Sequence, residues 1–355
     1  MNIAFVNSTH KWGGVKSWVV SFAEQLKLRG NNVYIWGRQP AFVEKCRDKA
    51  GHGEKTWFGP DFNPVAIAKF IYEFKIKKID AVIINVGKDL TTAGVAAKIL
   101  GVPLIQRIGL PEDIPYTKKV DFLHNWIKPH FLCPCEYIRD GFVDSLPYIK
   151  KEDTEVILNG KIYSEHELTV NRPLTFICTS QLNKGKGHED VLNALARLRF
   201  DFRCIILGTG NIEKELHALC NSLGLSEKIE WVGFTKDVSG YLRRADVFVL
   251  PSYFEGLPNT LLEAMAEGLL PISRDVGGIC EVWPDYFNEF LLPFESGPAE
   301  FEAAFEKVLD MADEQILTAK ELARNNCKEH FFLPGKVEEL EKWLLHDVIR
   351  NKNKS

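Results

Sequence analysis

The chain has no marked excess of either charge. Its 44 Lys and Arg against 48 Asp and Glu leave a formal net charge of -4. That gives nucleic acid no electrostatic footing as a main partner. It also lacks a long hydrophobic run: no stretch approaches the ~20 apolar residues of a membrane span. The opening residues, MNIAFVNSTHKW, have no basic lead and only a few consecutive apolar positions, unlike a secretory signal. The expected location is therefore the cytoplasm. Cysteine is present, at eight residues, but not in a metal or disulfide pattern. Cys133 and Cys135 form a C-x-C with no second Cys/His pair at ligand spacing. Cys178 and Cys204 fall in FICTS and FRCIILG, which read as buried strands. Reduced core thiols are the expectation, with no bound metal. Short repeats and low-complexity segments are missing as well.

What is there is ordinary globular composition at a length that favours two domains. The 355 residues are 45% hydrophobic and 26% charged, and single cores stop growing at roughly 250–300 residues. Strand and helix signals alternate. Residues 2–6 are a short apolar run. Val15, Trp18, Val19, Phe22, Ala23 and Leu26 recur at helical spacing up to Gly30, a stop signal. VYIW, AVIIN and PLIQ follow as strands, with a helix over 91–100. Residues 159–173 are polar, end in Pro173 and read as a linker. The pattern then restarts with strands LTFICTS, FRCIILG, IEWVG, VFVLPS and LLPIS separated by helical stretches. Buried runs alternating with helices predict α/β domains with parallel sheets covered on both faces. The expected units are residues 1–165, residues 166–335, and a C-terminal helix within 336–355 that packs back on the first. Two doubly wound domains would face each other across a crevice at the carboxyl ends of their sheets, where such folds bind ligands.

The segment PSYFEGLPNTLLEAMAEGLLPIS, residues 251–273, carries the most chemistry. Pro258 suits the first position of a helix and Gly268 its stop, which predicts a helix over 258–267. The free N–H groups of such a helix at a sheet's carboxyl edge form a diphosphate site. Glu255 before it and Glu263 within it are suited to accept hydrogen bonds from sugar and ribose hydroxyls. The segment resembles the E-x7-E motif of family 4 retaining glycosyltransferases, which have the GT-B fold. The likeness extends through Gly256, Leu257, Pro258, Asn259, Ala264, Met265, Ala266 and Gly268. It implies that Glu255 contacts the donor sugar, that Glu263 binds the ribose, and that the backbone of 256–260, including Thr260, meets sugar and phosphate.

Further segments fall in the family's order. SQLNKGKGHEDVLNAL from Ser180 is similar to its G-R-L-x-x-x-K-G stretch. Lys186 then matches the diphosphate lysine and Lys184 stands close by, while Gln181 replaces the usual arginine. Gly208 and Gly210 resemble the G-x-G turn near the nucleotide, and Phe234 and Thr235 would lie beside the base. Gly277 and Gly278 resemble the glycine pair near the donor, with Cys280 in place of the proline that usually follows. Gly13 and Gly14 match a first-domain glycine loop at the donor or acceptor. The usual first-domain histidine falls at Gly109, which leaves Arg107 and His124 as acceptor-side candidates, with His10 more remote. Asn159 and Gly160 fit the N-G where the chain crosses between domains, and residues 37–75 match no shared motif and would hold acceptor-recognition loops.

The resemblance implies transfer of a sugar, with retention, from a nucleoside diphosphate sugar to a hydroxyl acceptor. UDP is favoured over GDP, and no resident cofactor is called for. Cell-envelope polysaccharide or lipopolysaccharide synthesis is the expected setting, with a glycan or lipid-linked glycan as acceptor. A lipid-linked acceptor would bring peripheral contact with the inner face of the membrane, for which Lys69, Lys75, Lys77 and Lys78 among aromatics would serve; a solvated amphipathic helix is the alternative. Two other functions fit the same sequence: a GT-B nucleotide-sugar epimerase, and a non-catalytic donor-binding homologue.

Overall fold

The computed structural model describes residues 1–10, 12–163 and 165–350. Their contacts divide the chain into two units, Met1–Gly160 with the segment from Leu333 onward, and Lys161–Phe332. The crossings thus fall five and three residues before the expected boundaries. The reason is local: the Lys161 N–H donates to the Phe331 carbonyl at 2.8 Å, and Lys161 bridges Phe332 as a parallel pair. Nor is 159–173 a free linker. Lys320 donates to the Thr169 carbonyl at 2.7 Å, Arg324 to that of His166 at 2.8 Å, and the Asn171 amide to Asp246 at 3.0 Å.

The first unit is built on seven parallel strands: β1 (Asn2–Asn7), β2 (Asn32–Gly37), β3 (Glu54–Lys55), β4 (Ala81–Ile84), β5 (Leu104–Arg107), β6 (His130–Cys133) and β7 (Thr154–Val156). Their order is β3-β2-β1-β4-β5-β6-β7, so the winding reverses between β1 and β4. Alternation along a strand sends successive side chains to opposite faces. In β1, Ile3 and Phe5 join one core with Trp18, Phe22 and Leu26 of the helix Gly14–Leu28. Ala4 and Val6 join the other, with Trp36, Phe70 and Phe74. The helix Leu333–Trp343 and its continuation Leu344–Ile349 complete the first face through Val337, Leu340, Leu344 and Val348.

The second unit has six parallel strands: β8 (Leu174–Thr179), β9 (Phe202–Leu207), β10 (Ile229–Gly233), β11 (Val247–Leu250), β12 (Leu270–Arg274) and β13 (Leu291–Leu292). The order β10-β9-β8-β11-β12-β13 reverses between β8 and β11. Such a reversal draws the loops leaving the two strands apart and opens a crevice at their carboxyl ends. No helix among the described residues is long and apolar enough to cross a membrane. The lysines of 69–78 lie on or just past the helix Pro64–Ile76, and two are engaged: Lys69 with Glu54 at 2.5 Å and Lys77 with Glu73 at 3.2 Å.

Candidate active site

Four loops leave the carboxyl edge of the second sheet, and short backbone contacts fasten them together. After β8, Leu182 donates to the Thr209 carbonyl at 3.1 Å and accepts from Ile212 at 3.1 Å. Gly208 and Gly210 are required by this approach. A Cβ at Gly208 would lie 1.9 Å from the Ser180 carbonyl oxygen, and one at Gly210 2.1 Å from that of Leu182. After β11, Tyr253 donates to the Gly185 carbonyl at 2.8 Å. After β12, Gly278 donates to the Gly256 carbonyl at 2.8 Å, and a Cβ on Gly277 would fall 2.1 Å from the Glu255 carbonyl oxygen. The glycines flagged by the sequence therefore work first on one another's loops, fixing where the loops' side chains stand.

Those side chains include an ion pair. The Lys186 ammonium lies 2.6 Å from Glu255 Oε1, with the Phe254 carbonyl 3.4 Å away. Both are largely buried, at 27% and 16% side-chain exposure, so the pair is partly shielded from solvent. The helix that follows runs Asn259–Ala266, one residue shorter at each end than expected, with Pro258 as its N-cap in extended backbone. Leu257 is buried, while Asn259 and Thr260 open the first turn. Lys184 and Gln181 are exposed on the β8 loop, where Gln181 accepts from the Asn183 amide at 3.0 Å. Phe234 is 74% exposed just past β10, and the Thr235 hydroxyl accepts from the Asp237 N–H.

Three residues here escaped sequence reasoning. Lys161 places its ammonium 2.6 Å from Glu263 Oε1. Arg274, fully buried, donates to the carbonyls of Pro251 and Ser296 and to Asp190 Oδ2 at 2.9 Å, and it stacks 3.6 Å from the Tyr253 ring. It thereby buttresses the start of the Glu255 loop from beneath. His188 is buried against the Ser180 hydroxyl at 3.1 Å, and burial pushes its pKa down to about 4. Lys161 and the Asp190 partner of Arg274 lie 102 and 84 positions from the groups they meet, while His188 and Ser180 are eight apart across one loop and share no recognisable spacing.

In the first unit, two of the candidate residues are buried. His124 is 3% exposed, between the Tyr148 hydroxyl and the Gln106 amide oxygen, both at 3.1 Å, and burial lowers its pKa to about 4. Arg107 is 5% exposed, stacks 4.5 Å from the Trp18 ring and reaches Asn159 at 3.3 Å; burial lowers its pKa to about 10. Both sit on inward positions, of a helix and of β5, with protein partners. His10 accepts from Arg38, and the Gly109 N–H donates to the Asp113 carboxylate at 2.7 Å. Gly13 and Gly14 are exposed at the start of the first helix. A Cβ at Gly13 would meet nothing within 4 Å, so no internal packing requires that glycine. At the β1/β4 reversal lies a polar cluster the sequence did not reveal. Asp89 is fully buried, accepts from the Ser8 N–H at 2.9 Å, and is pushed up to about 6 by burial. Lys16 beside it donates to the Thr9 carbonyl at 2.9 Å and is lowered by burial to about 8.

A doubly wound domain with a lysine–glutamate pair and a helix N-terminus at its switch point has the form of a nucleotide-type anion site. Residues 161–328, within the second unit, match the family model described as glycosyl transferases group 1. The chain is 38% identical over 90 residues to N-acetylgalactosamine-N,N'-diacetylbacillosaminyl-diphospho-undecaprenol 4-alpha-N-acetylgalactosaminyltransferase of Campylobacter jejuni, covering 25% of each chain. It is 28% identical over 173 residues to the amylovoran biosynthesis glycosyltransferase AmsK of Erwinia amylovora, covering 46% of this chain and 42% of that one. These matches span between a quarter and under half of the relatives' length. A crystal structure of Anabaena HepE in complex with UDP superposes with a TM-score of 0.81 at 19% identity, over 97% of this chain and 100% of that one. The fold is therefore that of the GT-B glycosyltransferases.

Proposed function

We propose that the chain is a retaining glycosyltransferase, with a nucleoside diphosphate sugar as donor and a hydroxyl of a glycan or lipid-linked glycan as acceptor. The observation that carries this reading is the Lys186–Glu255 pair, 2.6 Å apart, in front of the helix Asn259–Ala266 at the carboxyl edge of the second sheet. Lys186 and the helix N-terminus supply positive charge where a departing diphosphate would accumulate negative charge. A diphosphate would draw the ammonium from Glu255, leaving that carboxylate to accept hydrogen bonds from donor sugar hydroxyls. Glu263 would take the ribose. The bond from the anomeric carbon to the diphosphate oxygen breaks, the acceptor oxygen bonds on the same face, and its proton passes to the diphosphate. This chemistry calls on side chains and helix end alone, without a resident cofactor.

UDP is the favoured nucleotide, a choice supported by the UDP in the HepE structure. A role in envelope polysaccharide or lipopolysaccharide synthesis, on a lipid-linked acceptor, is supported by the names of similar proteins, which include a diphospho-undecaprenol transferase, an amylovoran biosynthesis glycosyltransferase and a lipopolysaccharide outer core galactosyltransferase. Action at the cytoplasmic face of the membrane is part of the proposal. The test is thermal shift with UDP, GDP and their sugars, repeated with Glu263→Ala, followed by NMR of the product's anomeric configuration. Ligand binding to the folded state must raise the melting temperature. No shift with any nucleotide would sink the donor reading, and an inverted product would sink retention.

A further inference from the structure

The family resemblance pairs Glu263 with ribose, and the structure gives that carboxylate a protein partner as well. The Lys161 ammonium holds Glu263 Oε1 at 2.6 Å, with the two side chains 17% and 34% exposed. Lys161 is the first residue of the second unit, directly after the chain leaves Gly160. Its backbone is bonded to the other crossing: its N–H donates to the Phe331 carbonyl at 2.8 Å, and it pairs with Phe332, the last residue before the chain returns. The helix Asp313–His330 leads into Phe331 and is tied to the Glu263 helix by the Cys327 thiol, 3.7 Å from the Leu262 carbonyl. One residue thus joins both crossing points by its backbone and the ribose carboxylate by its side chain.

We propose that Lys161 is a positioning residue that ties the Glu263 carboxylate to the two points where the chain passes between its units, so that nucleotide binding and the state of those segments are coupled. The proposal rests on the donor reading above. Lys161 occupies Oε1 and so orients Oε2 toward a ribose hydroxyl, fixing the carboxylate's rotation before the ligand arrives. Any displacement of the crossing backbone moves the ammonium and with it the carboxylate. By reciprocity, a nucleotide that locks Glu263 must also restrain residues 161 and 331–332.

The experiment uses the full chain and UDP, with GDP in parallel. Calorimetry gives affinity and hydrogen-exchange mass spectrometry reads the peptides containing residues 161 and 331–332. UDP is expected to protect those peptides in the wild type. Lys161→Met should weaken UDP binding about tenfold, the loss of one charge-assisted hydrogen bond, and abolish that protection. Lys161→Arg should restore both. The double variant Lys161→Met/Glu263→Gln should bind UDP no more weakly than Glu263→Gln alone, because residues acting through one another are not additive. Should Lys161→Met fail to fold, the Glu263→Gln protein decides: it must lose the UDP-induced protection at 331–332. Unchanged affinity and protection in Lys161→Met overturn the coupling and leave the donor site standing. A wild type that binds neither nucleotide overturns the donor reading itself.

Discussion

Gly277→Ala isolates the loop contact that places Glu255. Gly277 has φ +63°, and its added Cβ would lie 2.1 Å from the Glu255 carbonyl oxygen and 2.9 Å from that of Gly256. Gly101 has the same φ of +63°, but nothing lies within 4 Å of its Cβ position. Both alanines bear the left-handed backbone cost of about 1–2 kcal/mol, offset by the smaller entropy of the unfolded chain. Only Gly277→Ala must also push backbone aside, which costs about 1–3 kcal/mol more. The two residues belong to different units, so urea unfolding must be read as separate transitions if the units unfold apart. The expected result is a larger loss at Gly277 than at Gly101 by about 1–3 kcal/mol, together with weaker UDP binding. Equal losses, with UDP affinity unchanged, would refute the claim that the glycine pair sets the position of Glu255.

Lys186→Met should lower kcat by roughly a hundred- to a thousandfold, as the loss of one preorganised charge at the leaving group does; a change confined to KM in the transfer assay would count against a role at the departing diphosphate. Leu344→Ala removes a fully buried side chain from the first unit's core. It should cost about 2–5 kcal/mol in that unit's urea transition while the second unit's stays put; a neutral result would mean that the C-terminal helix does not carry the core. His124 and His188 both have folded pKa values near 4, below the ordinary 6.5, because burial disfavours the imidazolium. The unfolded chain then binds more protons between those values, so stability is full above about 6.5 and falls as the pH drops toward 4. Each group contributes on the order of 3 kcal/mol. Asp89, raised to about 6, acts in the opposite sense and offsets part of the loss between about 6 and 4. Replacing His124 by Gln should flatten the acid limb of a melting-temperature profile; an unchanged slope would contradict the burial argument.

The architecture was largely legible from periodicity. β4 and β11 are wholly apolar and buried, and β1, β8 and β9 hold apolar runs interrupted only by Asn, Thr or Arg203, the mark of strands buried on both faces. The strands that went unread are short or at the rim. β3 and β13 have two residues each, β7 has three, and β6 is a four-residue run between Pro129 and Pro134. Too few side chains alternate in such segments for any period to emerge. The helices Pro40–Ala50 and Asp313–His330 were also missed; their mean hydropathy is low because a narrow apolar stripe is enough to seat them on a sheet already covered by neighbours.

The second unit's loop glycines were legible and the first unit's polar contacts were not, and the difference is one of chemistry. Around Glu255 the work falls to backbone brought close to backbone, and close approach excludes a Cβ. Glycine is then compulsory at Gly208, Gly210 and Gly277, and a compulsory glycine is visible in one dimension. His124, Arg107 and Asp89 each reach a partner 18 to 81 positions away, at Gln106, Asn159 and Ser8, although Asp89 also accepts from the nearby Val86 N–H. Any of several residue types could fill those places, so the sequence marks neither the burial nor the pairing. Lys161 and Glu263 combine both cases. The glutamate stands in a motif, while its lysine, 102 positions away, stands in none. A polar residue beside a chain crossing is thus the kind of signal that only folding turns into a contact, and its partner's place in the motif gives the contact a function to test.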